Sequence, residues 1–92
     1  MIVRILGEGQ LQVDDSASTE LNALDADLEK AVNSGDQEAF RSALRALLDR
    51  IRALGTPLAA ESLEPSDSIL PRADADLDEV RSMLTDEGYI PG

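Results

Sequence analysis

The chain has 92 residues, a length that supports one small domain and excludes a two-domain enzyme. Its composition, 42% apolar and 29% charged, is typical of a folded protein rather than a disordered segment. The chain contains no Cys and no His, which excludes disulfides, thiolate nucleophiles and His-based acid–base catalysis. Its net charge of −11 disfavours direct binding to nucleic acid or to anionic lipid.

Alternating apolar residues in two short segments, IVRI at 2–5 and QLQV at 10–13, predict a β-hairpin. The segment between them, at 7–9, is Gly-Glu-Gly and supplies turn residues. A three-residue loop there would place Val3 opposite Val13, whereas a two-residue turn would shift the pairing by one position. We expect the three-residue loop, because it keeps the apolar residues of both strands on one face.

Two amphipathic helices are predicted next, because apolar residues recur at every third or fourth position. Asp14, Asp15 and Ser16 are capping candidates for the first helix, and Gly35 ends it. Asp36 caps the second, which ends before Gly55. Because the connection is short, we expect an antiparallel helical hairpin. The first stripe comprises Ala17, Leu21, Leu24, Leu28, Ala31 and Val32, and the second Phe40, Leu44, Leu47, Leu48, Ile51 and Leu54.

Prolines and serines after Gly55 predict a surface crossover, and residues 67–71 within it predict a short edge strand added to the hairpin. Residues 76–79 form a capping box for a third, short helix that stops at Gly88. Its apolar face would comprise Leu77, Val80, Met83 and Leu84.

Together these elements predict a single α+β domain over residues 1–92 that is mainly helical. Its parts are a β-hairpin at 1–14, a helical hairpin at 15–55, a crossover at 56–75, and a short helix with a tail at 76–92. The apolar run near Met1 is too short for a secretion signal or a membrane span, so we expect a cytoplasmic protein.

The spacing of Asp74, Asp76 and Asp78 resembles the opening of a calcium loop. The pattern fails at its sixth position, which is Glu79 rather than Gly, and at its twelfth, which is Thr85 rather than Glu. Capping and helix-dipole effects explain these acids without a metal ion. We therefore expect no metal, no cofactor and, in a fold this small and without His, no catalytic activity.

The second helix carries a positive ridge in an acidic protein: residues 36–55 hold four bases and three acids, a net charge of +1. At 100° per residue, three of the four arginines of this helix, Arg41, Arg45 and Arg52, fall within a stripe of about 40°. One interpretation is a solvated face with the intrahelical pairs Glu38–Arg41, Arg45–Asp49 and Asp49–Arg52. The other is an interface for an acidic amphipathic helix. The candidate partner-binding residues are Arg41, Arg45, Arg52, Leu48, Glu38 and Asp49.

Five segments resemble the PspA-associated protein family, PspAA, along the full length of the chain. They are MIVRILGEGQ at 1–10, LGTPL at 54–58, EPSD at 64–67, ILP at 69–71 and DEGYIPG at 86–92. Leu11 departs from the aromatic residue expected there.

The resemblance implies a small cytoplasmic accessory protein encoded beside PspA, the coiled-coil protein that remodels membranes in the phage-shock envelope-stress response. It implies no catalytic residues. We therefore expect a non-catalytic adaptor that binds PspA and reaches the membrane only through that partner.

Two other functions stay open at this stage. A small cation or metabolite could bind the acidic segments 74–79 and 86–87, which would make the protein a ligand sensor. Alternatively, the N-terminal hairpin could add strands across a two-fold axis, which would make it a homodimeric structural module.

Overall fold

The computed structural model of the chain describes residues 1–59 and 63–83. Two long helices form a hairpin whose apolar residues share one core with a four-stranded sheet, so the mainly helical α+β fold is confirmed. The strands are β1 (Ile2–Ile5), β2 (Gly9–Gln12), β3 (Thr56–Pro57) and β4 (Ser68–Leu70). A 3₁₀ turn (Asp15–Ala17) leads into the helices α1 (Ser18–Ser34), α2 (Gln37–Leu54) and α3 (Leu77–Met83).

The hairpin forms, but in a different register from the predicted one. Val3 lies opposite Leu11 rather than Val13, and Ile5 lies opposite Gly9. The loop still has three residues but begins at Leu6, whose N–H donates to the Leu70 carbonyl at 3.0 Å. The register moves by two positions, so every side chain stays on its predicted face and the core pattern survives.

The sheet has the order β3-β2-β1-β4. Residues 68–70 add to β1 as a parallel edge strand, within the segment where the sequence predicts one. β3, which the sequence pattern did not predict, also pairs with β2, through Pro57 opposite Leu11. Two residues, one of them Pro, carry no periodic signal.

The turn between the two helices follows the capping residues in the sequence. The start of α1 does not, because Asp14 caps the 3₁₀ turn instead, and Ala17, which precedes α1, makes no side-chain capping bond. The Asp36 carboxylate accepts hydrogen bonds from the N–H groups of Glu38 and Ala39 at 3.0 and 3.1 Å and so begins α2. Gly35 ends α1 at φ 74°, a left-handed conformation that favours glycine. The turn between the helices therefore holds two local signals back to back, which is why its position was predictable.

The third helix is fixed at both ends by polar contacts. Asp76 Oδ1 accepts from the Glu79 N–H at 2.7 Å, as a capping residue does. Arg81 Nη2 donates to the Val32 carbonyl in the last turn of α1, at 3.0 Å. This bond gives α1 the cation that its own last turn lacks. The predicted end of the helix at Leu84–Gly88 and the tail lie outside the described residues.

Among the described residues, the hydrophobic core is aliphatic apart from Phe40, the largest of the fully buried side chains. Asp25 of α1 is buried, at 4% exposure, although it does not belong to the predicted apolar stripe. Leu24, expected in the stripe, is only half-buried. The fully buried set comprises Val3, Ile5, Val13, Leu21, Leu28, Phe40, Leu44, Leu47, Leu48, Ile51 and Leu70.

The crossover covers part of the second face of the β-hairpin, around Gln10. Gln10 Nε2 donates to the Glu64 carbonyl at 2.9 Å and to Ser66 Oγ at 2.8 Å. The Ile2 N–H donates to Asp67 Oδ2 at 2.8 Å. Because these polar groups are satisfied, Gln10 can be buried at 8% exposure without a large desolvation cost.

Gly55 is required by a close approach between the end of α2 and the sheet. A Cβ at this position would lie 2.8 Å from the Ile51 carbonyl oxygen and 2.9 Å from Leu11 Cβ. Its backbone is extended, with φ −88°, so the constraint is steric rather than conformational.

We expect Gly55→Ala to lower the free energy of unfolding by about 1–3 kcal/mol, because the added methyl group must displace backbone. Urea denaturation followed by circular dichroism measures this change. Ala46→Ser, at an exposed position of α2, is the control and should cost at most about 0.5 kcal/mol. Equal effects of the two substitutions would contradict the steric constraint.

We predict that replacing two serines of the crossover by alanine has opposite effects on stability. The Ser68 hydroxyl is buried and has no hydrogen-bond partner within residues 1–59 and 63–83, whereas the Ser66 hydroxyl accepts from Gln10. We expect Ser68→Ala to raise the free energy of unfolding by up to about 1 kcal/mol and Ser66→Ala to lower it by about 1 kcal/mol. Denaturation of both variants measures the difference, and a larger loss for Ser68→Ala would show that its hydroxyl is satisfied.

Candidate functional site

A cleft of about 440 Å³ lies between α2 and the segment that leads into α3. We call it the α2 cleft. Its two walls carry opposite charge, because α2 contributes arginines and the opposite segment, at 73–76, reads Ala-Asp-Ala-Asp. The lining residues are Arg41, Arg45, Leu48, Asp49, Arg52, Ala73, Asp74, Ala75 and Asp76. Five of the six candidate partner-binding residues are therefore brought together, and Glu38 lies outside this set.

Arg52 differs from the other two arginines because it is neutralised within the protein. Its Nε donates to Glu8 Oε1 at 2.9 Å, its Nη2 also contacts Glu8, and its Nη1 lies 2.8 Å from Asp49 Oδ1. The hydrogen bond from Arg52 lowers the pKa of the Glu8 carboxyl, and the same bond raises the pKa of Arg52. Arg52 therefore connects α2 to the hairpin loop, and no local sequence pattern indicates this contact.

Arg41 and Arg45 are exposed and lie one helical turn apart on the same wall. No ion pair within residues 1–59 and 63–83 involves either of them. Of the three intrahelical pairs in the solvated interpretation, only Asp49–Arg52 is formed in that part of the chain. Two guanidinium groups thus stay available to an external anion.

Leu48, one of the candidate partner-binding residues, is buried in the core together with Leu44. Leu48 has no exposed surface and Leu44 is 2% exposed. Both face the sheet and α1 because they continue the stripe that includes Phe40. Leu48 thus lies at the bottom of the α2 cleft without exposed surface, and its predicted role in binding a partner stays a prediction.

The acidic wall is held in place by backbone and capping contacts. The Ala75 N–H donates to the Arg72 carbonyl at 3.0 Å, and Ala75 itself is buried. Asp74 Oδ1 lies 3.6 Å from Arg72 Nε, and both side chains are mostly exposed. The next acid, Asp76, caps α3. The wall is therefore a turn with small residues at its base and carboxylates at its rim.

The structure bears on the two other functions considered above. Over residues 1–59 and 63–83, no three acidic side chains are grouped so that they could hold a metal ion. Residues 86–87 of the predicted cation site lie outside the described residues. The two strands of the hairpin are both inner strands, since β3 and β4 flank them. Strand addition to β1 or β2 by a second copy is therefore blocked.

None of the helices in the described part of the chain is both long and apolar enough to cross a lipid bilayer.

The Glu8–Arg52 pair predicts a dependence of stability on pH. Folding lowers the pKa of the Glu8 carboxyl from its ordinary value of 4.5, so the carboxylate stabilises the folded protein fully at pH values above 4.5. That contribution is lost as the pH falls through the lower, folded value. We expect Glu8→Gln to reduce the loss of stability between about pH 5 and pH 3, by less than about 1 kcal/mol because both side chains are 36% exposed.

Thermal unfolding at a series of pH values measures this effect. Glu38→Gln is the matched control, because the Glu38 carboxylate makes no ion pair within residues 1–59 and 63–83. If the two variants have the same acid profile, Glu8 and Arg52 do not interact appreciably in solution.

The comparisons with known proteins give one result. No match was found among curated proteins or among solved structures. The family model described as PspA-Associated protein, PspAA, matches residues 1–92, which is the whole chain. The resemblance carried by the five sequence segments is thereby confirmed, and the chain belongs to the PspAA family.

Proposed function

We propose that the protein is a non-catalytic adaptor that acts with PspA in the envelope-stress response, and that it docks on PspA through the arginine wall of the α2 cleft. The observation that carries this proposal is the pair Arg41 and Arg45, exposed and unpaired within the described chain although the protein has a net charge of −11. The family description, PspA-Associated protein, supports the choice of partner.

The two arginines suit an acidic partner for a physical reason. A guanidinium group presents a planar array of donors that matches a carboxylate, and it is more weakly hydrated than an ammonium. Arg41 and Arg45 are held by the same rigid helix, so less conformational freedom is lost when a partner binds. Acids on neighbouring turns of a partner helix could reach both groups.

Charge also supports an indirect route to the membrane. The whole chain carries 19 acids and 8 bases, so an anionic lipid surface repels it. A protein of this charge is more readily recruited by a membrane-bound partner than by lipid. We therefore place it at the inner face of the membrane only when it is bound to PspA.

The adaptor role predicts the effect of a double charge reversal. We expect Arg41→Glu with Arg45→Glu to weaken the complex with PspA at least about tenfold, because two attractive contacts become repulsive. Unfolding stability should change by less than about 1 kcal/mol, since both side chains are exposed. Co-purification with tagged PspA, followed by affinity measurement at low and moderate salt, tests this.

The matched control is Arg4→Glu with Lys30→Glu, which changes the net charge equally at two exposed bases outside the α2 cleft. It should weaken binding far less. Equal weakening by the two double variants would indicate that net charge alone governs association. Absence of a complex with the unmodified protein at either salt would refute the adaptor role.

A further inference from the structure

The acidic wall of the α2 cleft would oppose a partner that carries only acids. Asp74 and Asp76 face Arg41 and Arg45 across the cleft, and no ion pair among the described residues crosses it. A purely acidic segment docked on the arginines would bring its carboxylates next to these two carboxylates. Like-charge contacts of this kind destabilise a complex.

The two aspartates are accessible to a cation. Asp74 is 86% exposed, and its contact with Arg72 at 3.6 Å is a weak surface pair. Asp76 is also exposed, and its capping hydrogen bond to Glu79 uses only Oδ1. Carboxylate oxygens are therefore available on this wall, just as guanidinium donors are available on the other.

The alanines of the wall leave room for a side chain between the charges. Ala73 is exposed and Ala75 is buried, and both line the cleft. Because neither projects beyond Cβ, the volume of about 440 Å³ is bounded by charged groups at the rim and by aliphatic surface below.

We propose that the α2 cleft accepts a helical segment of PspA that carries both signs of charge on one face, an acid and a Lys or Arg about one turn apart. The acid pairs with Arg41 and Arg45, and the base pairs with Asp74 and Asp76. The charges of the two walls carry this inference, which rests on the proposed adaptor function. It also predicts specificity, because a segment with acids alone would pair with the arginine wall and be repelled by the acidic wall.

The discriminating variant is Asp74→Lys. With a partner of mixed charge, this change removes an attraction and adds a repulsion, so the affinity for PspA should fall about tenfold. With a purely acidic partner segment, the same change adds an attraction and the affinity should rise. Asp27→Lys, an exposed site on α1 outside the α2 cleft, changes the net charge equally and serves as the control.

A second variant tests occupancy of the cleft without changing charge. Ala73→Phe fills the space between the walls at an exposed position, so binding should weaken at least about fivefold while the melting temperature is preserved. The full chain and full-length PspA are used in every measurement, with circular dichroism of each variant as the check on folding.

The outcomes separate this inference from the adaptor role. Weaker binding by Asp74→Lys and by Ala73→Phe supports the mixed-charge segment. Stronger or unchanged binding by Asp74→Lys, with weakening by the Arg41 and Arg45 double reversal, overturns the mixed-charge segment and leaves the adaptor role intact. No effect of Ala73→Phe overturns occupancy of the cleft. No effect of any cleft variant overturns both the mixed-charge segment and docking through the arginine wall, while the adaptor role stands or falls with the complex itself.

Discussion

The burial of one face of α2 determines where the arginines of the cleft lie. Phe40, Leu47 and Ile51 are fully buried, and a helix of 3.6 residues per turn can bury that stripe in only one rotation. Arg41 and Arg45 then border the core instead of pointing away from it, and the chain that leads into α3 passes beside them. The geometry of the candidate site is therefore a consequence of packing. Changing the arginines alters the chemistry of the cleft without altering the rotation of the helix.

The arginines fall into two groups: some contact another element of the fold, and others make no ion pair among the described residues. Arg50 and Arg52 each contact an acid distant in the sequence, Glu20 and Glu8 respectively, and so join α2 to α1 and to the hairpin loop. Arg81 donates to a carbonyl of α1. These contacts hold elements together, although each contributes little because it is exposed. Arg41 and Arg45, the other two arginines that line the cleft, have no such role among the described residues. The difference between the two groups, rather than the presence of arginine itself, makes the cleft a candidate interface.

Features encoded by neighbouring residues were predictable from the sequence, and features that depend on distant residues were not. Gly35 and Asp36 are neighbours in the sequence and define the turn of the helical hairpin. The apolar stripe of α2 fixes which face of that helix is buried, and so it also indicates that the arginines share another face. The hairpin register was wrong by two positions, and the Leu6 N–H bonds to the carbonyl of Leu70 in β4, a residue far along the chain that a local pattern does not include. The acidic wall was visible as a sequence pattern, but nothing in a non-periodic crossover indicates that it would face α2. The burial of Leu48 follows from its place in that apolar stripe.

The parallel pairing of β1 with β4 also affects the order in which the structure is completed. The bond from the Ile2 N–H to Asp67 joins groups 65 positions apart, and the whole helical hairpin lies between them. During synthesis, the two helices can pack through local contacts well before residues 68–70 emerge from the ribosome. Until then β1 has an open edge, which is an aggregation hazard in a partly made chain. The acidic wall follows β4 in the sequence, so the α2 cleft is assembled late, after the parts of the protein that form its arginine side.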